Sequence, residues 1–331
     1  MVWIIKRKQM KTIKAGIIGG AGYTGGELIR LLLNHPNVEI VFVHSKSMAG
    51  NKLYEVHTDL LGETELTFAS ELSNVDVLFL CVGHGEAKVF LKNNLIPNGT
   101  KVIDLSQDHR LKTSEHSFVY GLPELNRHKV ASSIHIANPG CFATAIQLSL
   151  LPLAKKKILK DDIHISATTG STGAGQSLSA TSHFSWRNNN LSTYKAFEHQ
   201  HLNEISESIV QLQGSLEVDI NFIPYRGSFA RGILSSTYVQ CDLDGDQIKE
   251  LYEEYYKDHP FVWISSSSID LKQVVNTNKC LLNIQKHKDK LLITSVIDNL
   301  LKGASGQAVQ NMNLMFGLEE TTGLKLKATG F

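Results

Sequence analysis

The sequence predicts an α/β chain of two domains, a doubly wound parallel sheet followed by an α+β domain with a mixed or antiparallel sheet. Three observations predict it. Strand-like and helical runs alternate up to about residue 140, and a glycine-rich turn joins the first strand to the first helix. Beyond that point longer strand-like runs follow one another with few helices between them. Alternation of the first kind indicates parallel βαβ units, and the second texture indicates α+β. With 331 residues, 42% of them apolar, the chain can fill two cores.

The elements follow in order. Residues 13–18 are rich in isoleucine and predict the first strand. Residues 26–33 carry apolar positions at helical spacing and run out at Asn34-His35-Pro36. Residues 39–43, 75–82 and 101–105 predict three more strands. Residues 141–151 predict a helix that Pro152 stops. Strands are then expected at 162–169, 217–222, 233–241, 280–285 and 291–296, with one helix at 245–257 and a Ser/Asn/Gly-rich stretch at 170–190. Residues 304–317 are helical again and are expected to pack back on the first domain. The domains so predicted are 11–140 plus 302–331, which binds a dinucleotide, and 141–301, which is catalytic and self-associating.

Bulk composition narrows the class. A formal charge of +1, from 33 basic and 32 acidic residues, gives no reason to invoke nucleic acid or an anionic membrane. No apolar run approaches the roughly 20 residues of a membrane span. The opening MVWIIKRKQMK lacks a signal-peptide core and reads as an extension ahead of the first strand, with Met10 as an alternative start. A cytoplasmic location is expected. Cys81, Cys141, Cys241 and Cys280 are too far apart for a zinc ribbon, give no sign of a disulfide framework, and leave no metal site to predict. Three of them lie in strand-like stretches and read as small core residues. Cys141 has different neighbours.

Gly20-Ala21-Gly22-Tyr23-Thr24-Gly25 fits the G-x-G-x-x-G pattern between a strand and a helix. Missing Cβ atoms let the backbone approach a pyrophosphate, and the helix start supplies N–H groups. An NAD site wants an acid near the carboxyl end of the second strand. Here that strand ends at His44-Ser45-Lys46-Ser47, with its only acid, Glu39, at the opposite end. Two hydroxyls around a lysine suit a 2′-phosphate, so NADP(H) is the cofactor expected.

Asn138-Pro139-Gly140-Cys141 places a thiol where a turn becomes a helix. A helix start favours thiolate, which would lower the pKa of Cys141, and the same N–H groups suit an oxyanion. Cys141 is therefore the candidate nucleophile.

The segment Ala137–Cys141 resembles the active-site signature of the N-acetyl-γ-glutamyl-phosphate reductases of the semialdehyde dehydrogenase superfamily. The blocks GGAGYTGGE from Gly19, VIDLSQDHR from Val102, YGLPE from Tyr120, GSTGAG from Gly170 and VIDNLLKGASGQAVQNMNLMFG from Val296 agree in order and spacing. The likeness covers about residues 14–317. It implies a two-domain fold, NADP(H), a small acyl-phosphate substrate in arginine biosynthesis, a homo-oligomer (dimer or tetramer), and reduction through a thioester on Cys141. It also implies that Gly173 and Asn299 lie against the cofactor.

An anionic substrate needs cations, and Arg110 and Arg231 are the candidates. For Arg110 an ion pair with Asp104 or Asp108 is an equal alternative. The stretch GSTGAGQS at 170–177 has the glycine spacing of a phosphate loop but Gln176 in place of its lysine, which favours a nest of N–H groups over nucleotide hydrolysis. Proton transfer is the open point. Resembling enzymes carry histidine where this chain has Tyr225, so Tyr225, His201 and His199 are all candidates, His199 also as a substrate contact. Arg226-Gly227-Ser228 replaces the usual apolar and proline residues, which alters the pocket wall; an acyl group with an extra carboxylate would suit it. Two rival readings stay open, a sister enzyme of the aspartate type and a non-catalytic NADP(H)-sensing protein.

Overall fold

The structure is a computed structural model and describes residues 12–330. The expectations about the N-terminal extension and Met10 lie outside the described residues, as does Phe331.

Seven parallel strands form the first sheet: β1 (Ile13–Ile18), β2 (Val38–His44), β3 (Phe68–Ala69), β4 (Val77–Leu80), β5 (Lys101–Asp104), β6 (Val119–Tyr120) and β7 (His135–Ala137). Their order, β3-β2-β1-β4-β5-β7-β6, reverses direction beside β1, which is the switch point where a doubly wound sheet binds ligands. The second sheet holds β8 (Ile163–Thr169), β9 (Ser192–Thr193), β10 (Ile220–Arg226), β11 (Ile233–Gln240), β12 (Val262–Ser265), β13 (Cys280–His287) and β14 (Lys290–Ile297). Its order is β12-β13-β14-β11-β8-β10-β9, antiparallel through the centre and parallel at β12/β13 and β8/β10. This mixed sheet is the α+β domain.

Against the second sheet runs the helix Cys141–Lys156, buried from Phe142 to Ala154. It passes through Pro152 instead of stopping there. Proline cannot donate to the carbonyl four residues back, and that orphan, Leu148 O, receives the Tyr256 hydroxyl at 2.5 Å. Tyr252 donates to Ser149 O at 2.5 Å in the same way. A tyrosine pair on the helix Gly245–Tyr256 thus repairs what local propensity forbids.

The strand expected at 217–222 lies further on, at β10. Pro224 sits inside it, with its carbonyl turned toward Tyr194 N on the short edge strand side, where few ladder bonds are lost. The chain returns to the first domain after β14. A π-helical turn, Leu301–Ser305, leads into the helix Gly306–Met315, whose Ala308, Val309 and Met312 share a core with Leu28, Ile29 and Leu32. Among the described residues no helix is long and apolar enough to cross a membrane.

Candidate active site

The first turn is shaped by steric need. Gly19 has φ of 79°, and Gly19 N and Gly20 N both donate to His44 O at 3.1 Å, tying the turn to the end of β2. A Cβ on Gly25 would stand 2.6 Å from Gly19 O, so only glycine lets the helix Tyr23–Leu33 approach so closely. Its N-cap, Gly22, has no side chain to occupy the amides of the first turn, which leaves them for a ligand.

Cys141 begins its own helix behind an extended Gly140. Asn138 anchors the turn from both sides: its N–H donates to Asp104 O at 2.7 Å and its Nδ2 to Ala304 O at 3.0 Å. Two further glycines make room for neighbours. A Cβ on Gly303 would lie 2.8 Å from Cys141 Cβ, and one on Gly140 would lie 2.3 Å from His201 Nε2. The π-turn and the histidine thus press directly on the nucleophile's backbone.

These elements enclose a cavity of about 650 Å³. The glycine turn contributes Gly22, Tyr23 and Thr24, and the 3₁₀ turn Ser171–Ala174 contributes Thr172 and Gly173. Cys141, Asn299, Arg110, His199 and His201 complete the list of expected residues that reach it. Asn299 locks the loop in place, accepting from Gly232 N at 2.7 Å and donating to Thr172 Oγ1 at 3.0 Å. Ser45, Lys46 and Ser47 follow β2 outside the lining, beside the turn that His44 O anchors, and Ser45 Oγ is 3.5 Å from Ser47 Oγ.

One buried carboxylate organises the polar side. Glu204 accepts from Arg110 Nη1 at 2.9 Å, Tyr120 OH at 2.9 Å and Gly140 N at 3.0 Å. Arg110 spends its other donors on Asn138 O and Leu105 O. Its acid partner is therefore Glu204. Asp104 instead accepts from His109 at 2.6 Å, and Asp108 accepts from Gly85 N and Lys88 N at the start of the helix Glu86–Asn93.

Cys141 as a residue is partly exposed and lines the cavity, while Cys81, Cys241 and Cys280 are buried. Burial nevertheless pushes the Cys141 thiol up to about 11, and Glu204 adds to the rise. The N–H groups of Phe142 and Cys141 and the charge of Arg110 pull the other way without winning. The expectation of a lowered pKa is thus corrected: a helix start is worth less than the desolvation of a thiolate. His201 shows the complementary effect. Burial, with Arg110, His199 and His84, holds it well below the ordinary imidazole range, so it is neutral in the resting site. Its Nδ1 is buried without a hydrogen-bond partner. Burial likewise drops His199 to about 4, helped by Lys195 and Arg226.

A measurable consequence follows for the free enzyme. The pH midpoint for alkylation of Cys141 by iodoacetamide, read by mass spectrometry, should move from the ordinary 9.0 to about 11. A plateau reached already at neutral pH would show the thiolate to be preformed.

The family model described as the semialdehyde dehydrogenase NAD binding domain matches residues 14–133, and that of the semialdehyde dehydrogenase dimerisation domain matches residues 141–299. A curated relative from Parabacteroides distasonis, named N-acetyl-gamma-glutamyl-phosphate reductase, is 61% identical over 96% of this chain and 100% of its own length. The chain belongs to the semialdehyde dehydrogenase family. A relative of the same name from Flavobacterium johnsoniae is 59% identical over the same shares. Among solved structures, aspartate semialdehyde dehydrogenase II from Vibrio cholerae is similar in fold, with a TM-score of 0.72 at 15% identity, covering 92% of this chain and 98% of that one.

Within this member of the family the structure corrects two expectations. Tyr225 does not reach the cavity. Strand alternation puts Phe222, Pro224 and Arg226 on the face that meets Phe142, whose ring lies 5.3 Å from Phe222, and turns Tyr225 to the other face. Arg231 does not line the cavity either. Its guanidinium is filled by Glu27 at 2.9 Å and Asp298 at 3.0 Å, so it clamps the first helix to the end of β14. Glu204, Tyr194 and Lys195 were missed. Glu204 lies three residues after His201 on the helix His201–Gln213, a spacing that puts both on one face once that helix is recognised.

Proposed function

We propose that the chain reduces an N-acyl-γ-glutamyl phosphate to the N-acyl-glutamate semialdehyde and phosphate with NADPH, in arginine biosynthesis, through a thioester on Cys141. The observation that carries the reading is a partly exposed cysteine at a helix start in the same cavity as the glycine turn. The name borne by relatives at about 60% identity over their full length supports the substrate class.

The first step needs a thiolate that the resting site does not hold. His201, neutral and packed on Gly140, takes the Cys141 proton as the acyl phosphate arrives. The sulfur attacks the acyl carbon, the bond from that carbon to the phosphate oxygen breaks, and its electron pair leaves on phosphate. Amides at the start of the Cys141 helix face the developing oxyanion. When bound, the dinucleotide supplies the hydride that takes the thioester carbon to the aldehyde level. The His201 imidazolium, acidic because its surroundings disfavour charge, returns the proton so that aldehyde and thiol are released.

The residues present fit such a cofactor. Uncapped amides behind Gly22 suit its pyrophosphate, Gly173 and Asn299 face the same space, and Ser45, Lys46 and Ser47 offer donors for a 2′-phosphate. Residues 141–299 match a dimerisation domain, and the face of the second sheet where His164 stacks on a 43% exposed Tyr238 suits a second copy of the chain, in a homo-oligomer. The test is run in the reverse direction. N-acyl-glutamate semialdehyde, phosphate and NADP⁺ should yield NADPH at a rate that vanishes without phosphate, whereas aspartate semialdehyde should yield none. NADPH binding with no turnover of any semialdehyde would leave the sensing protein as the reading.

A further inference from the structure

The cations of the cavity are not equivalent. Arg110 is neutralised by Glu204, and Arg231 outside it by Glu27 and Asp298. Arg226 has no such partner. It lines the cavity with its guanidinium carbon 4.5 Å from the centre of the Tyr194 ring, and its Nε is buried with no hydrogen bond. Among the described residues no carboxylate pairs with it, and the nearby charge, Arg187, is of its own sign. A stacked guanidinium half removed from water and left without a counter-ion is a receptor for a planar anion.

Contacts separate Arg226 from the other cavity cation without a carboxylate partner, Lys195. Lys195 Nζ donates to Gln200 Oε1 at 3.3 Å, whereas Arg226 Nε donates to nothing. The rings adjoin in the order His201, His199 at 4.5 Å, and Tyr194 at 5.8 Å from His199, with Arg226 stacked on Tyr194. A glutamyl chain held on Cys141 carries one α-carboxylate, and an acyl group with a second carboxylate would match the two cavity cations, Lys195 and Arg226, with which no carboxylate pairs among the described residues.

We propose that Arg226, stacked on Tyr194 in the lining of the Cys141 cavity, selects a substrate whose N-acyl group ends in a second carboxylate, as a succinyl group does. This rests on the reductase reading above and goes beyond the acetyl substrate for which the relatives are named. The guanidinium forms a charge-assisted, forked pair with that carboxylate, and Tyr194 fixes the plane of the fork.

The experiment compares N-succinyl-, N-succinamyl- and N-acetyl-glutamate semialdehydes as substrates of the full-length protein, with phosphate and NADP⁺. For the parent enzyme kcat/KM should be highest for the succinyl compound, and its uncharged succinamyl counterpart, of equal length, should fall to the level of the acetyl one. Arg226→Leu should cut the succinyl-to-acetyl ratio roughly 10- to 100-fold, the worth of a charge-assisted hydrogen bond, and Arg226→Lys should restore part of it. Circular dichroism and NADPH binding confirm that the variants fold. A parent enzyme that does not favour the succinyl compound overturns the proposal and leaves the reductase reading intact. So does a parallel fall of both substrates in Arg226→Leu, which would assign Arg226 to the α-carboxylate. No turnover of any N-acyl substrate overturns both.

Discussion

Cys141→Ser should lose phosphate-dependent turnover by roughly 10⁴-fold or more, the scale seen when a covalent nucleophile is removed. Serine fits the space that Gly303 and Gly140 leave around residue 141, so the cause is chemical and not steric. A hydroxyl is far less acidic than a thiol already held at about 11, and neutral His201 would have to ionise it in a site that disfavours charge. An oxygen ester, if formed, is also a poorer hydride acceptor than a thioester. NADPH binding, measured by fluorescence, should survive, because the glycine turn reaches the cavity from the other domain. Mass spectrometry of the parent enzyme with acyl phosphate and no cofactor should show one acyl adduct, located on Cys141. Residual activity within tenfold of the parent, or an adduct on another residue, would defeat the thioester mechanism.

Lys302→Ala should destabilise the fold by about 3–5 kcal/mol, the usual result of stripping one partner from a buried ion pair. Lys302 and Glu124 are both 0% exposed and meet at 2.7 Å, and Lys302 also donates to Gln310 at 2.9 Å. The Lys302 bond goes to Glu124 Oε1 and Oε2 has no hydrogen bond at all, so the ammonium is what keeps that carboxylate tolerable. Burial pushes the Glu124 carboxyl up, yet the pull of Lys302 and of His259 leaves it below its ordinary range. The pair joins the π-turn to the helix Pro123–Ser132. Urea denaturation measures the effect. The double variant Lys302→Met/Glu124→Gln should lose much less than Lys302→Ala, because no charge is then stranded. A loss under about 1 kcal/mol in the single variant would mean that water reaches Glu124. Because Lys302 adjoins Gly303, which presses on Cys141, kcat should fall in Lys302→Ala even where the protein remains folded.

Acid exposes a further dependence. His201, His199, His35 and His57 all have pKa values lowered by burial in the folded chain. Unfolded imidazoles bind protons from about 6.5 downward while these do not, so stability is present above that pH and is lost as pH falls below it. Thermal melts from pH 8 to 5 should show Tm declining below about 6.5, and a flat profile would show the histidines to be hydrated.

Much of the site was legible from short stretches of chain. The turn at Gly20–Gly25 and the bend before Cys141 are local devices, since missing Cβ atoms and a helix start do their work within a few residues. The neighbours of the sulfur were harder to read. Glu204 comes 63 positions after Cys141 and Gly303 another 99 after that, and neither carries a signal of its own. Tyr225 and Arg231 were attractive on residue type alone. A strand's period of two turned the first away, and two carboxylates captured the second.

By itself the sequence determined the division into a doubly wound sheet and a mixed one, the glycine turn and the nucleophile, because periodicity and backbone sterics are properties of neighbouring residues. Only the tertiary structure decided the ionisation of Cys141 and His201, the pairing of Arg110 with Glu204 and the isolation of Arg226. It also decided the passage of a helix through Pro152. Charge and desolvation depend on what surrounds an atom in space, and those surroundings are brought together from both domains.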